Sequence, residues 1–516
     1  MKKTIKSIFA TSLAAILSVA TLTGCGTSGN TPKLPEYSAK EYLFSAYSGP
    51  NAGIYSQEGV YKTLGPDQRT TAGYTTYKEA GFNLAWCTAD ASYSGEKWET
   101  SECKRAWDAA LSAGMTNVLV TDARIDTLVE FKDSLVGTTN SCRFSSDEQL
   151  KDAIKDYLDD YINYQGFYGV RISDERDYTY INAVGKVYKA IRAAGEELGM
   201  PNIYIHLNVL PVDGVYSRFG GVAEDNSSEY ATMTEAYNGY ISKYIETTNC
   251  DRISSDVYAF RKNGITGQFY STAQVIKEQA NAHGIDASFC LQSFELYNGQ
   301  TLIYKGIGKS EMKMELYSLM GMGYDHFYYY TYQFPSAFSS GWTEGYTFLN
   351  LAGEKTNVYY YGQQCMSLAQ SMADIILGYD YVGGKFYISD NPSFDVSCYL
   401  SAPVDTKVTN SGLVFDNTHE FELIADNSVE FDNDVVFITE LKDSVNNLNM
   451  YMLQNVINPQ NAEFGRTAEK VSVKFDGGYT HVAELCDGQL TYVKLSNGKY
   501  TKTLNAGDAV YLIPLK

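Results

Sequence analysis

Two adjacent carboxylates, Asp174 and Glu175, end a largely apolar run that begins at Phe167. If this run is a β-strand, strict alternation places Arg171, Ser173 and Glu175 on one face and turns Asp174 to the other. A carboxyl group at a strand end, walled by aromatic rings, has its ionised form disfavoured by desolvation. Such a group can donate a proton near neutral pH, so Glu175 is the first candidate for acid–base chemistry.

Further polar side chains lie in or just after other strand-like runs. Hydroxyls, amides and carboxylates arranged in a ring and backed by aromatic faces match the hydrogen-bonding and stacking needs of a sugar. Asp256 has a second interpretation as the buried counter-ion of Arg171, because an unpaired internal charge is costly. The candidate ligand contacts are Asp122, Asn208, Asp256, Tyr258, Gln292, Tyr330, Tyr332 and Trp342.

These residues need a scaffold that gathers strand ends at one rim. Between Glu41 and about Tyr379, short β-rich runs alternate with amphipathic stretches, the pattern of parallel strands covered by helices. Eight such units predict a (β/α)8 TIM barrel over residues 40–380. A doubly wound open sheet is the alternative, although no Gly-rich phosphate loop follows any strand. The strand candidates are Tyr42 to Tyr47, Asn83 to Thr88, Asn117 to Asp122, Phe167 to Asp174, Ile203 to Leu210, Arg252 to Ala259, Ala287 to Ser293 and His326 to Tyr332.

The pattern changes after Tyr381, where polar and apolar residues alternate with period two between Asn, Gly and Asp turns. This periodicity predicts a C-terminal antiparallel β-sandwich over residues 385–516. The short connection from Gly378 to Gly384 has no Pro- or Ser-rich linker, so we expect the sandwich to pack against the barrel.

The N-terminus has the features of an export signal. Lys2, Lys3 and Lys6 precede an apolar run that is too short to span a bilayer but suits a signal-peptide core. The following Leu22-Thr23-Gly24-Cys25 resembles the lipobox of bacterial lipoproteins, which implies a lipid anchor on Cys25 and an extracytoplasmic, membrane-anchored protein. The predicted segments are a signal peptide over residues 1–24 and a flexible tether over residues 25–39.

The charge balance argues against one class of partner. The chain has 41 Lys plus Arg against 61 Asp plus Glu, a formal net charge of -20, so most of its surface repels phosphate backbones. Nucleic acid is therefore not an expected partner. The five His residues are too scattered to form a ligand motif, and we expect neither a metal nor a cofactor.

The fourth predicted strand resembles that of clan A glycoside hydrolases of the family 42 type. In that clan the acid/base Glu ends strand four and follows an Asn; Glu175 matches the Glu, while Asp174 replaces the Asn. The clan places its nucleophilic Glu at the end of strand seven, where this chain has Gln292. An amide cannot form a covalent glycosyl-enzyme, and Glu295, three residues on, could substitute only through a loop.

The adjacent Asp-Glu pair also resembles the dyad of the substrate-assisted hexosaminidases of glycoside hydrolase family 123. That resemblance implies Glu175 as the acid and Asp174 as the group that orients a 2-acetamido substituent.

Together these resemblances imply a surface-anchored glycoside hydrolase acting on an extracellular glycan, with Glu175 as general acid/base. The alternative is a non-catalytic carbohydrate-binding lipoprotein on the same barrel, which the Gln at strand seven favours. A structural or adhesive surface protein is a third possibility.

Overall fold

Parallel strands form a nearly closed barrel in the first three quarters of the chain. The structure, a computed structural model, describes residues 32–47, 49–57, 60–87, 91–212, 216–220, 233–262, 264–334, 342–388, 407–409, 412–414, 429–431, 435–456, 468–475 and 477–516. The barrel strands, numbered one to eight along the chain, are Leu43–Ala46, Ala85–Cys87, Val118–Thr121, Phe167–Arg176, Tyr204–Val209, Arg252–Asp256, Asp286–Gln292 and His326–Tyr330. The predicted TIM barrel is thereby confirmed.

Each barrel strand lies beside its neighbour in sequence. The hydrogen-bonded order is one, eight, seven, six, five, four, three, two, and every pairing is parallel. Strands one and two approach each other at the remaining gap, where the backbone nitrogens of Asn83 and Leu84 donate to the carbonyl oxygen of Phe44. All eight strands therefore present their C-terminal ends at one rim, where functional groups of such barrels lie.

The helices between the strands form because their apolar residues recur at helical spacing behind a capping residue. In Asp147–Asp159 the Ser146 side chain accepts a hydrogen bond from the Gln149 nitrogen, and Leu150, Ile154 and Leu158 are buried. No described helix is long and apolar enough to cross a membrane. The described α-helices are Thr71–Glu79, Glu102–Ser112, Ala123–Asp126, Asp147–Asp159, Ile181–Glu197, Tyr216–Phe219, Met233–Thr248, Gln268–His283, Lys309–Gly321 and Asn357–Ile376.

The C-terminal region contains two antiparallel sheets, consistent with the predicted β-sandwich. In the larger sheet the order is Lys407–Thr409, Gly412–Val414, Asp380–Ile388, Val435–Asp443, Leu448–Asn455, Ala509–Leu515, His481–Cys486 and Gln489–Lys494. In the smaller sheet it is Val429–Phe431, Glu469–Lys474 and Lys499–Leu504. Val436 and Ile438 belong to the core between the sheets, whereas Phe437 belongs to the core shared with the barrel. Period-two alternation thus gives the larger sheet two buried faces.

The sandwich packs directly on the barrel helices. The Tyr270 ring lies edge-on against Phe386, with centroids 4.7 Å apart, and 5.4 Å from Phe437. The Ser318 hydroxyl donates to Gln454 Oε1 at 2.7 Å across the same interface. Helix Lys309–Gly321 is consequently buried from Ser310 onward, including polar positions that a free barrel would expose.

A small antiparallel sheet lies beyond strands six, seven and eight. Its order is Gly264–Ile265, Phe260–Arg261, Thr301–Tyr304, Leu296–Asn298 and Trp342–Glu344. A separate two-stranded hairpin, Ile54–Gln57 with Val60–Thr63, follows strand one. The loops after these strands are therefore organised structures, and the small sheet forms one side of the barrel mouth.

Deleting residues 385–516 should yield insoluble protein. The truncation uncovers Tyr270 and the buried helix Lys309–Gly321, an apolar surface large enough to drive aggregation. The measurement is the soluble fraction and size-exclusion profile after expression, compared with a chain that begins at residue 32 and keeps both regions. A soluble, monomeric barrel lacking the sandwich would contradict this expectation.

Candidate active site

The fourth barrel strand contains two β-bulges before it reaches the rim. Its pairing with strand five passes from Arg171–His206 to Ser173–Leu207, which leaves Ile172 without a partner. One inserted residue reverses the alternation of every side chain beyond it. Ser173 is accordingly fully buried on the side of the surrounding helices, near Tyr244, while Asp174 faces the lumen. The strict-alternation prediction was wrong for Ser173 and Asp174 because it assumed an unbroken strand.

Asp174 is held as a carboxylate by three neighbours. The Tyr47 hydroxyl donates to its Oδ2, Arg171 Nη2 lies 3.1 Å from the same oxygen, and Asn208 Nδ2 donates to Oδ1 at 3.0 Å. Burial acts to raise the pKa of Asp174. The charge of Arg171 and the hydrogen bonds from Tyr47 and Asn208 outweigh burial and hold that pKa below its ordinary value. The group is therefore ionised at neutral pH.

Arg171 is the internal cation of the mouth, and its partners differ from the predicted one. Its guanidinium contacts Asp174 and, through Nη1, Asp126 Oδ2 at 3.3 Å, so the interpretation of Asp256 as its counter-ion was wrong. Beneath it, burial and then the charge of Arg171 lower the pKa of His206 to about 3. This ring stays neutral and adds no second positive charge to the lumen.

Asp122 does not reach the rim, contrary to the sequence-based prediction. It is fully buried, caps the short helix Ala123–Asp126, and binds Arg124 at 2.7 Å and the Tyr161 hydroxyl at 2.9 Å. Capping turns the first carboxylate after strand three toward the helices. Asp126, at the end of that helix, makes the contact in the mouth instead.

Glu175 and Asp256 form a hydrogen-bonded pair of carboxyl groups. Glu175 lies at the second bulge with a positive φ of 47°, which lifts its exposed side chain over the rim. Asp256, at the end of strand six, is only 5% exposed. Burial first, and then the charges of Glu175 and Asp174, raise the pKa of Asp256 well above its ordinary value. One proton is therefore shared within the pair, as in other close carboxyl pairs.

Asn208 connects this pair to Asp174. Its Nδ2 donates to Asp174 Oδ1 at 3.0 Å and to Asp256 Oδ1 at 2.9 Å, while its Oδ1 accepts from the Tyr328 hydroxyl at 2.7 Å. The contacts to Asp174 and Asp256 fix the amide orientation, because only the amide nitrogen can donate hydrogen bonds to these oxygens. Asn208 is almost fully buried, so it positions the carboxyl groups and is shielded from a ligand. The site thus contains an ionised and a proton-sharing carboxyl group side by side.

Aromatic rings line the mouth around these groups. Tyr47 lies 5.0 Å from Trp86 and 5.6 Å from Tyr330, and Tyr330 lies 5.5 Å from Tyr258, measured between ring centroids. Tyr258 and Tyr330 are therefore where the sequence placed them. Tyr332 is not, because the strand ends at Tyr330 and the chain then turns the Tyr332 ring toward the helices.

Gln292 is a structural residue of the mouth and is inaccessible to a ligand. It is fully buried, its Oε1 accepts from the Phe260 nitrogen at 2.8 Å, and its Nε2 donates to the carbonyl oxygens of Phe260, Phe294 and Lys305. The expected substrate contact was wrong, since every polar atom of this amide is used by loop backbone. Gln292 instead holds together the loops that carry the aromatic wall.

Glu295 directly precedes one strand of the small sheet beyond the rim, and Trp342 begins another. The Glu295 side chain lies near the Tyr297 hydroxyl and against Gly345 and Gly306. Its neighbour Phe294, on the opposite face, points inward to Tyr258. Alternation therefore turns Glu295 away from the carboxyl cluster. The backbone of Trp342 pairs with Asn298, and its side chain lies outside the described residues, as does Cys25.

The contacts of several site residues have no recognisable signal in the sequence. Tyr47 directly follows strand one, so the sequence indicates its position at the rim, but nothing in the sequence connects it to Asp174. Asp126 cannot be distinguished by sequence from the many other acids in or near the first turn of a helix. Tyr304 lies beside Tyr258, at 5.6 Å between centroids, only because the small sheet folds over the mouth. Within the described residues, no group of three or more His, Cys, Asp or Glu is arranged to hold a metal ion.

Comparisons with known proteins identify no family for this chain. No protein-family model matches it, and no curated protein matches its sequence. Similar solved structures include a GH30 endoxylanase from Clostridium papyrosolvens C71, with 12% identity, a TM-score of 0.40 and coverage of 93% of this chain and 98% of that chain. Others are an Anoxybacillus alpha-amylase (10%, 0.43, 92% and 97%) and a structure named glycoside hydrolase (10%, 0.45, 92% and 92%). These likenesses are too distant to assign an activity, which must be argued from the site.

Replacing Gln292 by Glu should destabilise the protein and should not create a nucleophile. A buried carboxylate facing three carbonyl oxygens cannot donate the hydrogen bonds of the amide, so we expect a loss of roughly 3–5 kcal/mol in the free energy of unfolding. Chemical denaturation measures the change. The matched control is Gln364→Glu on the exposed face of helix Asn357–Ile376, where we expect about 0.5 kcal/mol or less. If the Gln292→Glu variant had the same denaturation midpoint as the unchanged protein, this structural role would be contradicted.

Proposed function

We propose that the protein is a glycoside hydrolase, with Glu175 as general acid/base and Asp174 as the neighbouring ionised group. The observation that carries the proposal is the pairing of an ionised carboxylate, Asp174, with a proton-sharing carboxyl pair, Glu175–Asp256, at the C-terminal mouth of the barrel. Glycoside hydrolysis requires two carboxyl groups of which one is protonated and one is ionised. Different environments give the two groups different pKa values. The ring of tyrosines supports a carbohydrate as the bound molecule.

Glu175, rather than Asp256, delivers the proton. Asp256 is buried and bonded to Asn208, whereas the Glu175 side chain is exposed at the rim. A general acid must reach the oxygen that it protonates. Glu175 thus gives the shared proton to the leaving-group oxygen as the glycosidic bond breaks. Water forms the new bond to the anomeric carbon, directly or after attack by a 2-acetamido oxygen, and the proton that this water releases returns to the pair.

Asp174 stabilises positive charge that develops in the sugar ring. Its two oxygens are fixed by Tyr47, Arg171 and Asn208, so the carboxylate is oriented before substrate binds. For a sugar with a 2-hydroxyl this role is electrostatic. For a 2-acetamido sugar, Asp174 would orient the acetamido group that attacks in place of a protein nucleophile.

The proposed location is the outer face of the bacterial cell membrane. It rests on the basic start, the short apolar run and the Leu22-Thr23-Gly24-Cys25 sequence, with lipid attached to Cys25. The substrate in this compartment would be an extracellular glycan or oligosaccharide.

A second candidate function is non-catalytic carbohydrate binding on the same barrel. It is favoured by Gln292, because the end of strand seven supplies no carboxylate. Screening the purified ectodomain against aryl glycosides and native glycans distinguishes the two. Product formation supports the hydrolase, and binding without product supports the binding protein.

Replacing Glu175 by Gln should remove general-acid catalysis while keeping the size of the side chain. We expect the rate on unactivated glycosides to fall about 100- to 10,000-fold, and the rate on aryl glycosides with good leaving groups to fall less. Steady-state kinetics on both substrate types measures the contrast, and circular dichroism checks the fold. Unchanged turnover of an unactivated substrate by a folded variant would show that the site is wrong.

Two further variants, at Asp174 and Glu295, distinguish a substrate-assisted mechanism from a covalent one. Asp174→Asn should disable activity on 2-acetamido sugars if Asp174 orients the attacking acetamido group, and should only reduce activity on 2-hydroxy sugars, where Asp174 acts through its charge alone. Glu295→Gln should leave both activities intact, because its carboxylate lies beside the small sheet beyond the rim. Loss of activity in Glu295→Gln would instead identify a covalent mechanism that uses this residue.

Replacing Asp256 by Asn should move the basic limb of the pH profile of kcat/KM to lower pH. The acid form of the Glu175–Asp256 pair is required, and removing the Asp256 carboxyl removes the negative charge that keeps a proton in the pair. Without that charge the proton is lost at lower pH, so activity declines earlier as pH rises. Asp159→Asn, exposed at the end of helix Asp147–Asp159, is the matched control. An unmoved basic limb in Asp256→Asn would contradict proton sharing.

A further inference from the structure

A second concave site lies on the flank of the barrel, outside the mouth. We name it the flank groove and define it by Asp133, Tyr178, Asn182, Phe219, Ser242 and Glu246, which line a cavity of about 570 Å³. A neighbouring cavity of about 540 Å³ shares Asp133 and Asn182 with it and continues over helix Ile181–Glu197. Each volume lies in the range of small-molecule binding pockets. The two cavities therefore form one elongated depression.

Tyr178 gives the flank groove an aromatic platform. Its side chain is 44% exposed, whereas most tyrosines among the described residues are buried. A Cβ placed on Gly220 would lie 3.1 Å from the ring, so the glycine lets backbone pack against the ring and hold it. A fixed, partly exposed tyrosine face is the surface on which a pyranose ring stacks.

The wall that carries Tyr178 is held in place before any ligand arrives. Lys132 Nζ donates to Thr179 Oγ1 at 3.0 Å and lies 3.9 Å from the centroid of Tyr180. Asp177 caps the same turn by accepting from the Thr179 nitrogen at 2.9 Å, and Arg176 pairs with Glu130 beside it. Binding to a pre-organised wall avoids the entropy cost of ordering a loop.

The lining chemistry fits a neutral glycan. Asp133 and Glu246 accept hydrogen bonds, Lys243 donates, and the amide of Asn182 does both. Sugar hydroxyls are likewise both donors and acceptors. The mixture of opposite charges offers no net attraction to a polyanion, and the surrounding chain has a net charge of -20.

The flank groove is continuous in sequence with the proposed acid. Tyr178 follows Glu175 by three residues, on the loop that leaves strand four. We propose that the flank groove is a second carbohydrate-binding site, which holds a remote stretch of the same glycan whose bond is cleaved in the mouth. This inference rests on the proposed function and adds to it that the substrate is a polysaccharide or a long oligosaccharide.

Affinity electrophoresis tests the groove without relying on catalysis. The full ectodomain with Glu175→Gln, which prevents hydrolysis in the gel, is run through gels containing soluble β-glucan, arabinoxylan, galactomannan or galactan. We expect at least one polysaccharide to retard it, and Tyr178→Ala in that background to weaken retardation about tenfold, as truncation of a central aromatic contact does. Tyr178→Phe should keep the ring platform and most of the retardation.

The matched control is Tyr360→Ala, which removes another exposed tyrosine, 54% exposed, on helix Asn357–Ile376. It should leave retardation unchanged. Equal retardation of the Tyr178→Ala variant and its parent, or no retardation by any polysaccharide, overturns the groove proposal.

Kinetic measurements on the chain that keeps Glu175 distinguish the groove proposal from the proposed function. Tyr178→Ala should lower the ratio of the rate on polysaccharide to the rate on an aryl glycoside. If no glycoside is cleaved but retardation depends on Tyr178, the hydrolase proposal fails and the groove stands. If aryl glycosides are cleaved and the ratio is unchanged in Tyr178→Ala, the groove fails and the hydrolase stands.

Discussion

The contact between Arg171 and Asp174 is the interaction on which the mouth of the barrel depends. A guanidinium inside a barrel is stable only if anions and hydrogen bonds compensate for the water that it has lost. Asp174 and Asp126 supply the anions, and the Tyr47 hydroxyl joins the same network through Arg171 Nη2 at 2.9 Å. Burial of Asp256, and then the charges of Glu175 and of the ionised Asp174, keep a proton in the neighbouring carboxyl pair. By keeping Asp174 ionised, Arg171 therefore contributes to the protonation state of the whole site.

The bulge at Ile172 makes that contact possible. Arg171 and Asp174 are three residues apart, and in a regular strand they would face opposite sides of the sheet. The inserted residue brings them to the same side, and a second bulge at Glu175 directs a second carboxylate toward the same opening. Bulges near functional sites of sheets commonly redirect side chains in this way.

The opposite side of the mouth is held together by hydrogen bonds to the backbone of its loops. Gln292 joins three loop segments through its amide, and the small sheet places Tyr304 and Phe294 against Tyr258. Behind it, Glu315 Oε1 accepts from the Gln292 nitrogen at 3.4 Å, and burial raises the pKa of this carboxyl well above its ordinary value. The mouth therefore has one side built from interacting charged groups and one side built from aromatic rings.

The sequence by itself determined the elements, because period-two and helical spacing are local properties of the chain. The eight barrel strands, the change to antiparallel sheets and the candidate Glu175 were all readable from neighbouring residues. Only the tertiary structure decided which side chains meet. Whether Asp174 faces inward depends on a one-residue register shift against strand five, and whether Asp126 or Asp256 pairs with Arg171 depends on strands far apart in the chain. Gln292 was placed correctly at the end of strand seven, but its hydrogen bonds go to loop backbone, whose path no side-chain pattern encodes.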